Sequence, residues 1–236
     1  MIKVTDLHKS FYHQTEPQKV LDGVNLQIDK GDVFGLVGQN GAGKSTLINI
    51  MLGLLSADSG SVLFQSKNST SLKAKQIYGA MSEQPKFYEQ FSATETLAFV
   101  GKLYKINTNA LKEKIPQLLE LVDLSSSANN KVKSFSKGMH QRLALACALI
   151  NEPKILILDE PFDGLDPIGR RLFKQIILEQ KSRGVTIFFS SHILSDVQEI
   201  CTKVGVIING KIEPIPLSKK TTKDELENKL LKILNG

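Results

Sequence analysis

Two cysteines, Cys147 and Cys201, are all that the 236 residues contain, and they form no Cys-x-x-Cys pair. This excludes a disulfide framework or a thiolate metal site as the basis of the fold, and fits a reduced compartment. Long apolar runs are also lacking. Leu143 to Ile150 and Ile155 to Leu158 are the longest candidates, far short of the roughly 20 residues that cross a bilayer. The start, Met1-Ile2-Lys3-Val4, has no basic-then-apolar signal pattern, so export is not expected. Aromatics make up only 6% and the lysines are scattered, so the net charge of +6 reads as a solvated surface. A nucleic-acid groove needs clustered basic residues interleaved with aromatics, and no nucleic-acid partner is expected.

What remains is the balance of a globular protein, 41% hydrophobic and 23% charged, with enough chain for one large domain or a domain carrying an inserted lobe. Val24 to Ile28 alternates like a half-buried strand, and Val33 to Val37 reads as a fully buried one. A glycine-rich turn follows, then a helix from about Lys44 to Leu52. Short strands are predicted at Ser61 to Phe64 and Ile77 to Met81. Helical patterns then occupy Thr94 to Tyr104, Asn109 to Leu121 and Lys137 to Ile150. Strands return at Ile155 to Leu158 and Val185 to Phe189, with a helix from about Pro167 to Lys181 between them. Val204 to Ile208 and Lys211 to Glu213 flank Asn209-Gly210, a strong hairpin signal. Strand–helix alternation at both ends with helices between them predicts an α/β core with a helical insertion.

Chemistry concentrates in a few places. Gly38-Gln39-Asn40-Gly41-Ala42-Gly43-Lys44-Ser45 matches the P-loop in full, between a predicted strand and a predicted helix. Glycines let the backbone N–H groups approach phosphate oxygens, and the helix N-terminus adds partial positive charge. In this pattern Lys44 reaches the β- and γ-phosphates, and the Ser45 hydroxyl ligates Mg²⁺. Thr46 continues the site into the helix. Ile155 to Leu158 ends in Asp159-Glu160. An apolar strand ending in two acids is common on its own. After a P-loop it reads as the Mg²⁺-holding strand end, with Asp159 at the metal and Glu160 set to polarise the attacking water. These two motifs alone leave a kinase or a GTPase open.

Three further stretches settle the subclass. Ser134-Phe135-Ser136-Lys137-Gly138-Met139-His140-Gln141-Arg142 resembles the signature sequence of ABC ATPases, usually Leu-Ser-Gly-Gly-Gln. Ser136 and Gly138 match it. Phe135, Lys137 and Met139 depart from it in the manner of antibiotic- and peptide-exporter ATPases. In isolation, Ser136 is simply a good helix N-cap. Gly164-Leu165-Asp166-Pro167 resembles the D-loop, and Ser190-Ser191-His192 the switch-histidine region. The order of these motifs covers most of the chain, which is identified as a member of the ABC ATPase family.

That resemblance implies an α/β fold: a P-loop, RecA-like core with an antiparallel β-subdomain and an inserted α-helical subdomain. The expected division is one ABC domain over 1–236, with the helical subdomain at 84–152 and the core at 1–83 and 153–236. The resemblance also implies ATP and Mg²⁺ as ligands and an adenine-stacking aromatic, for which Phe11 aligns best. It implies a Gln at the metal, taken as Gln84, with Glu83 the alternative register. His192 would contact the γ-phosphate. Ser136 and Gly138 of one ATPase would complete the site of a second, identical or related. The expected partners are integral membrane permease subunits, and the expected location is cytoplasmic, at the inner face of the cell membrane. The expected function is an exporter's ATP-hydrolysing motor for a peptide, antibiotic or other amphipathic substrate. The alternatives are an importer ATPase or a soluble ABC ATPase acting on nucleic acid or ribosomes. At the C-terminus, a capping box at Thr222-Lys223-Asp224-Glu225 precedes Leu226, Leu230 and Leu234, so a helix is expected over 219–236.

Overall fold

The computed structural model describes residues 1–13 and 16–215. The helix expected over 219–236 lies outside the described residues. In chain order the elements are β1 (Ile2–His13), β2 (Glu16–Ile28), β3 (Val33–Val37), α1 (Lys44–Met51), β4 (Ser59–Phe64), β5 (Lys67–Asn68) and α2 (Leu72–Lys75). Then come β6 (Tyr78–Met81), α3 (Ala93–Leu103), α4 (Thr108–Leu121), α5 (Lys137–Leu149), β7 (Ile155–Leu158) and α6 (Pro167–Ser182). The described chain closes with β8 (Thr186–Ser191), α7 (Leu194–Ile200), β9 (Lys203–Ile208) and β10 (Lys211–Ile215). Contacts divide it into two compact units, Met1–Lys75 with Thr186–Gly236, and Gln76–Val185.

The first unit holds two groups of strands. One is antiparallel: β1 pairs with β2 and β4, and β4 with β5. In the other, β3 runs parallel to both β8 and β9, and β10 returns antiparallel on β9. All five residues of β3 and all six of β8 are buried, as parallel strands covered on both faces must be. Phe34 and Phe188 sit opposite each other in that ladder, their rings stacked at 5.8 Å. The predicted Asn209-Gly210 hairpin closes β9 onto β10, with Lys211 opposite Ile208. The Gly210 carbonyl accepts from the Asp22 N–H at 2.8 Å.

β1 has no clean alternation in the sequence because its register slips. Ile2 and Val4 point inward, then Asp6 takes φ 45°, and pairing resumes at Leu7 with the phase shifted. A bulge of this kind moves the buried set by one residue and erases the period-two signal. α7 was equally silent. It has seven residues, of which Asp196, Val197 and Ile200 are buried, too few turns for a periodic pattern.

In the second unit β6 and β7 pair in parallel, Met81 opposite Leu158. The helices of this unit begin on side-chain caps. Ser92 Oγ accepts from the Glu95 N–H at 3.1 Å, and Glu95 accepts from the Ser92 N–H at 2.6 Å, a full capping box. The Ser92 N–H, then Lys131, holds the Glu95 carboxyl below its ordinary range. Asn107 caps α4, Ser136 caps α5 and Asp166 caps α6. α5 lies against β6 at Gly79, where a Cβ would come within 1.7 Å of the Ala148 carbonyl oxygen.

That contact yields a prediction. Gly79→Ala forces helix and strand backbones apart and should lower stability by about 3 kcal/mol or more. Ser92→Ala, which removes one cap acceptor, should cost only about 1 kcal/mol. Urea unfolding of both variants measures the difference, and equal losses would refute the packing account.

Candidate active site

In the first unit, β3 delivers Gly38 directly into the loop that opens α1. Gly43 sits at φ 103°, a left-handed conformation, with Val20 pressed against it: a Cβ there would lie 3.0 Å from Val20 Cγ1 and 3.1 Å from its carbonyl oxygen. Only glycine meets both demands. Lys44 is buried, and its ammonium donates back into the loop, to Gly38 O at 2.8 Å and Gln39 O at 3.2 Å. Gly43 supplies no side-chain cap to α1. The helix therefore begins with backbone N–H groups that no capping side chain engages, which suits a phosphate. Ser45 and Thr46 are half-buried in the first turn.

A cleft of about 370 Å³ adjoins the loop, lined by Gln39, Asn40, Gly41 and Ala42 together with Ile207, Ile208 and Asn209. The last three went unanticipated as site residues. Asn209 carries a turn signal in the sequence, and nothing local says that the turn faces a phosphate loop. Val20 gives no signal either, being one apolar residue in an exposed stretch.

His192 reaches the same end of the sheet by register. Val37 pairs with Ser191, so Gly38 and His192 leave adjacent parallel strands at one level. The crevice at the carboxyl ends of such strands is where open α/β sheets bind ligands. His192 is exposed. Phe11 lies on β1 opposite Gln18, 38% exposed, with Lys9 Nζ 5.5 Å from its ring centroid. It is an open aromatic face, as stacking requires, not a core Phe.

The second unit carries the other candidates. Asp159 and Glu160 follow β7, both buried, and the Asp159 N–H donates to Met81 O at 2.8 Å. Ser82-Glu83-Gln84 leaves β6 at that same end. Gln84 is exposed and Glu83 half-buried, and Gln141 Nε2 donates to the Glu83 carbonyl at 2.9 Å. Glu160 has φ 46°, a left-handed conformation that costs a non-glycine residue roughly 1–2 kcal/mol. Ser136 Oγ accepts from the Met139 N–H at 3.3 Å. Gly138 faces the turn after β7, its would-be Cβ 3.8 Å from Gly164 O. The site residues thus form two sets: Phe11, Gly38 to Thr46 and His192 in one unit, and Gln84, Ser136, Gly138, Asp159 and Glu160 in the other.

Known proteins and solved structures are similar to this chain over most of its length. The family model described as ABC transporter matches residues 21–163. The lantibiotic transport ATP-binding protein SrtF of Streptococcus pyogenes is 42% identical over 212 residues, 90% of this chain and 89% of that protein. The bacitracin transport ATP-binding protein BcrA of Bacillus licheniformis is 39% identical over 98% of this chain and 75% of its own. The chain spans 65% of the length of an ABC transporter ATP-binding protein of Nostoc sp. strain PCC 7120, at 38% identity. A solved structure described as the ATP binding subunit of an ABC transporter superposes with a TM-score of 0.87 at 28% identity, covering 98% of this chain and 99% of that one.

Lys44→Met keeps the buried stem and removes the ammonium. Losing charge-assisted hydrogen bonds of this kind is worth about 1.5–3 kcal/mol, so ATP affinity should fall at least about tenfold. Titration with a fluorescent ATP analogue measures it, and wild-type affinity would remove Lys44 from the site.

Proposed function

The chain belongs to the ABC transporter ATP-binding family, and from that premise we propose that it is the ATP-hydrolysing motor of an exporter for a peptide, antibiotic or other amphipathic substrate. Its fold is that of an ABC ATPase. Among the described residues no helix is long and apolar enough to cross a membrane. The proposed arrangement is a pair of such chains, identical or related, held by separate integral membrane permease subunits at the inner face of the cell membrane. The names of SrtF, a lantibiotic transport ATP-binding protein, and BcrA, a bacitracin transport ATP-binding protein, support the substrate class.

The observation that carries hydrolysis is a phosphate loop with its lysine turned inward and a buried strand end bearing two carboxylates, in one chain. In this reading Gly38, Gln39, Asn40, Gly41, Ala42 and Gly43 present backbone N–H groups to the phosphates. Lys44 neutralises their charge, and Thr46 extends the contact along α1. Phe11 stacks on adenine, where a base–aromatic contact is worth about 1–3 kcal/mol. Ser45, Asp159 and Gln84 offer hard oxygen donors, the set that Mg²⁺ takes. When bound, that ion neutralises charge on the phosphates. Glu160 orients and deprotonates the attacking water, and His192 contacts the γ-phosphate. Ser136 and Gly138 of the second ATPase close over the nucleotide.

The stretch 84–152 is the proposed helical subdomain that meets the permease. An exposed aromatic patch supports this. Tyr88 and Phe91, on the loop that follows Gln84, pack with Phe99 of α3: Tyr88 and Phe99 meet edge-on at 5.5 Å, with Phe91 against both. Such a patch suits a partner with an apolar surface.

Glu160→Gln should keep ATP affinity and lower steady-state turnover by about 10²–10⁴-fold, the usual worth of general-base assistance. ATP should then hold the variant as a stable pair on size-exclusion chromatography. Unchanged turnover would remove Glu160 from its role. A tagged chain drawn from its native membranes in mild detergent should bring a multi-span protein in stoichiometric amount. Recovery with ribosomes instead would overturn the transport reading.

A further inference from the structure

We propose that Lys137 is a positioning residue that clamps the turn after β7 to the start of α5, so that Ser136 and residues 163–166 move as one body. The proposal rests on the ABC reading, in which the signature begins at Ser136. Lys137 Nζ lies 2.6 Å from Asp163 Oδ2. Its stem crosses Gly164, where a Cβ would come within 2.5 Å of both Cδ and Cε of the lysine. Gly164 itself takes φ 71°. Gly138, next along the helix, faces the same turn, with Gly164 O and Leu165 Cδ2 each 3.8 Å from its would-be Cβ. Two consecutive signature residues therefore lie against one turn.

That turn is anchored at both of its ends. The Asp163 N–H donates to Glu160 O at 3.1 Å, and the Asp166 carboxylate accepts from the Gly169 N–H at 2.7 Å to cap α6. The clamp adds α5 as a third anchor. Helix stability does not account for a lysine here. Lys137 is the first residue of α5, and a cation at a helix N-terminus opposes the helix dipole. The Asp163 carboxylate both pairs the cation and restores a favourable charge to that helix end. The signature form this stretch resembles has glycine at this position and can make no such tie. The consequence is mechanical: the signature serine and the turn that begins three residues after Glu160 share one rigid connection.

The test uses the full chain and two readouts, steady-state ATPase kinetics and hydrogen exchange of residues 161–166 without nucleotide. Lys137→Gln and Asp163→Asn should each lower kcat about two- to fivefold at unchanged KM, the scale of an exposed ion pair. Each should speed exchange in the turn. Their combination should cost no more than either alone. Lys137→Arg and the reversal Lys137→Asp with Asp163→Lys should regain most of the loss. High salt should bring the wild type towards Lys137→Gln. Additive losses, or a raised KM that charge reversal does not rescue, would overturn the clamp and make Lys137 a nucleotide contact. Faster exchange with unchanged kcat would overturn the positioning role. The hydrolysis reading fails on different data, an inactive wild type, which leaves the exchange result to decide the clamp by itself.

Discussion

The burial of β3 on both faces is the constraint from which the first half of the site follows. A strand so enclosed must pair every backbone group along its length, and here β8 and β9 supply the partners, both parallel. Parallel neighbours end level. Val37 meets Ser191 on one side and Val206 on the other, so three segments leave the sheet from one row. These are the Gly38 loop, His192, and the stretch running through Ile207 to the Asn209 turn. The cleft beside the phosphate loop is the space between the first and third of them. The apolar continuity of five residues thus sets where the charge chemistry stands.

The second unit applies the same rule with a different addition. β6 and β7 also end level, which brings Gln84 and the Asp159–Glu160 pair to one edge. The close approach at Gly79 lets α5 lie on this pair, and the start of α5 is then tied to its surroundings through side chains. Gln141 holds the Glu83 carbonyl. His140 stacks on Phe87 at 6.1 Å, and its Nδ1–H donates to the Ser136 carbonyl at 2.9 Å. Lys137 reaches Asp163. The signature segment is therefore joined to the loop after β6 on one side and to the turn after β7 on the other. Movement of the aromatic loop that carries Phe87 and Tyr88 has a packed route to Ser136.

How much of this the sequence disclosed follows from where the information resides. β3, β7, α5 and α6 were legible because their apolar patterns are local, and the Ser136 cap of α5 stands next to its helix. The phosphate loop was legible because its glycines and Lys44 act within eight consecutive residues. β1 was hidden by the bulge at Asp6, and α7 by its shortness. Asn209 and Val20 were hidden for another reason. They join the phosphate loop through strand register and through a hairpin far along the chain, and neither leaves a trace in neighbouring residues. The same holds for Lys137, visible as a departure from the signature pattern but explained only once Asp163 is seen beside it.

Glu160 shows how chemistry can outrank local comfort. Its left-handed backbone would suit glycine or asparagine better, and a glutamate there carries roughly 1–2 kcal/mol of strain. The turn requires the geometry: the Glu160 carbonyl accepts from the Asp163 N–H, which starts the reversal that brings Asp163 under Lys137. A residue chosen for the turn alone would not be a buried glutamate. A glutamate here carries the backbone cost together with the cost of burial, and the proposed work on water is a role that would account for both. Other non-glycine residues, Glu152 and Asn209 among them, also take a positive φ, so strain alone assigns no role; the motif order along the chain is what supports Glu160 as the group proposed to act on water.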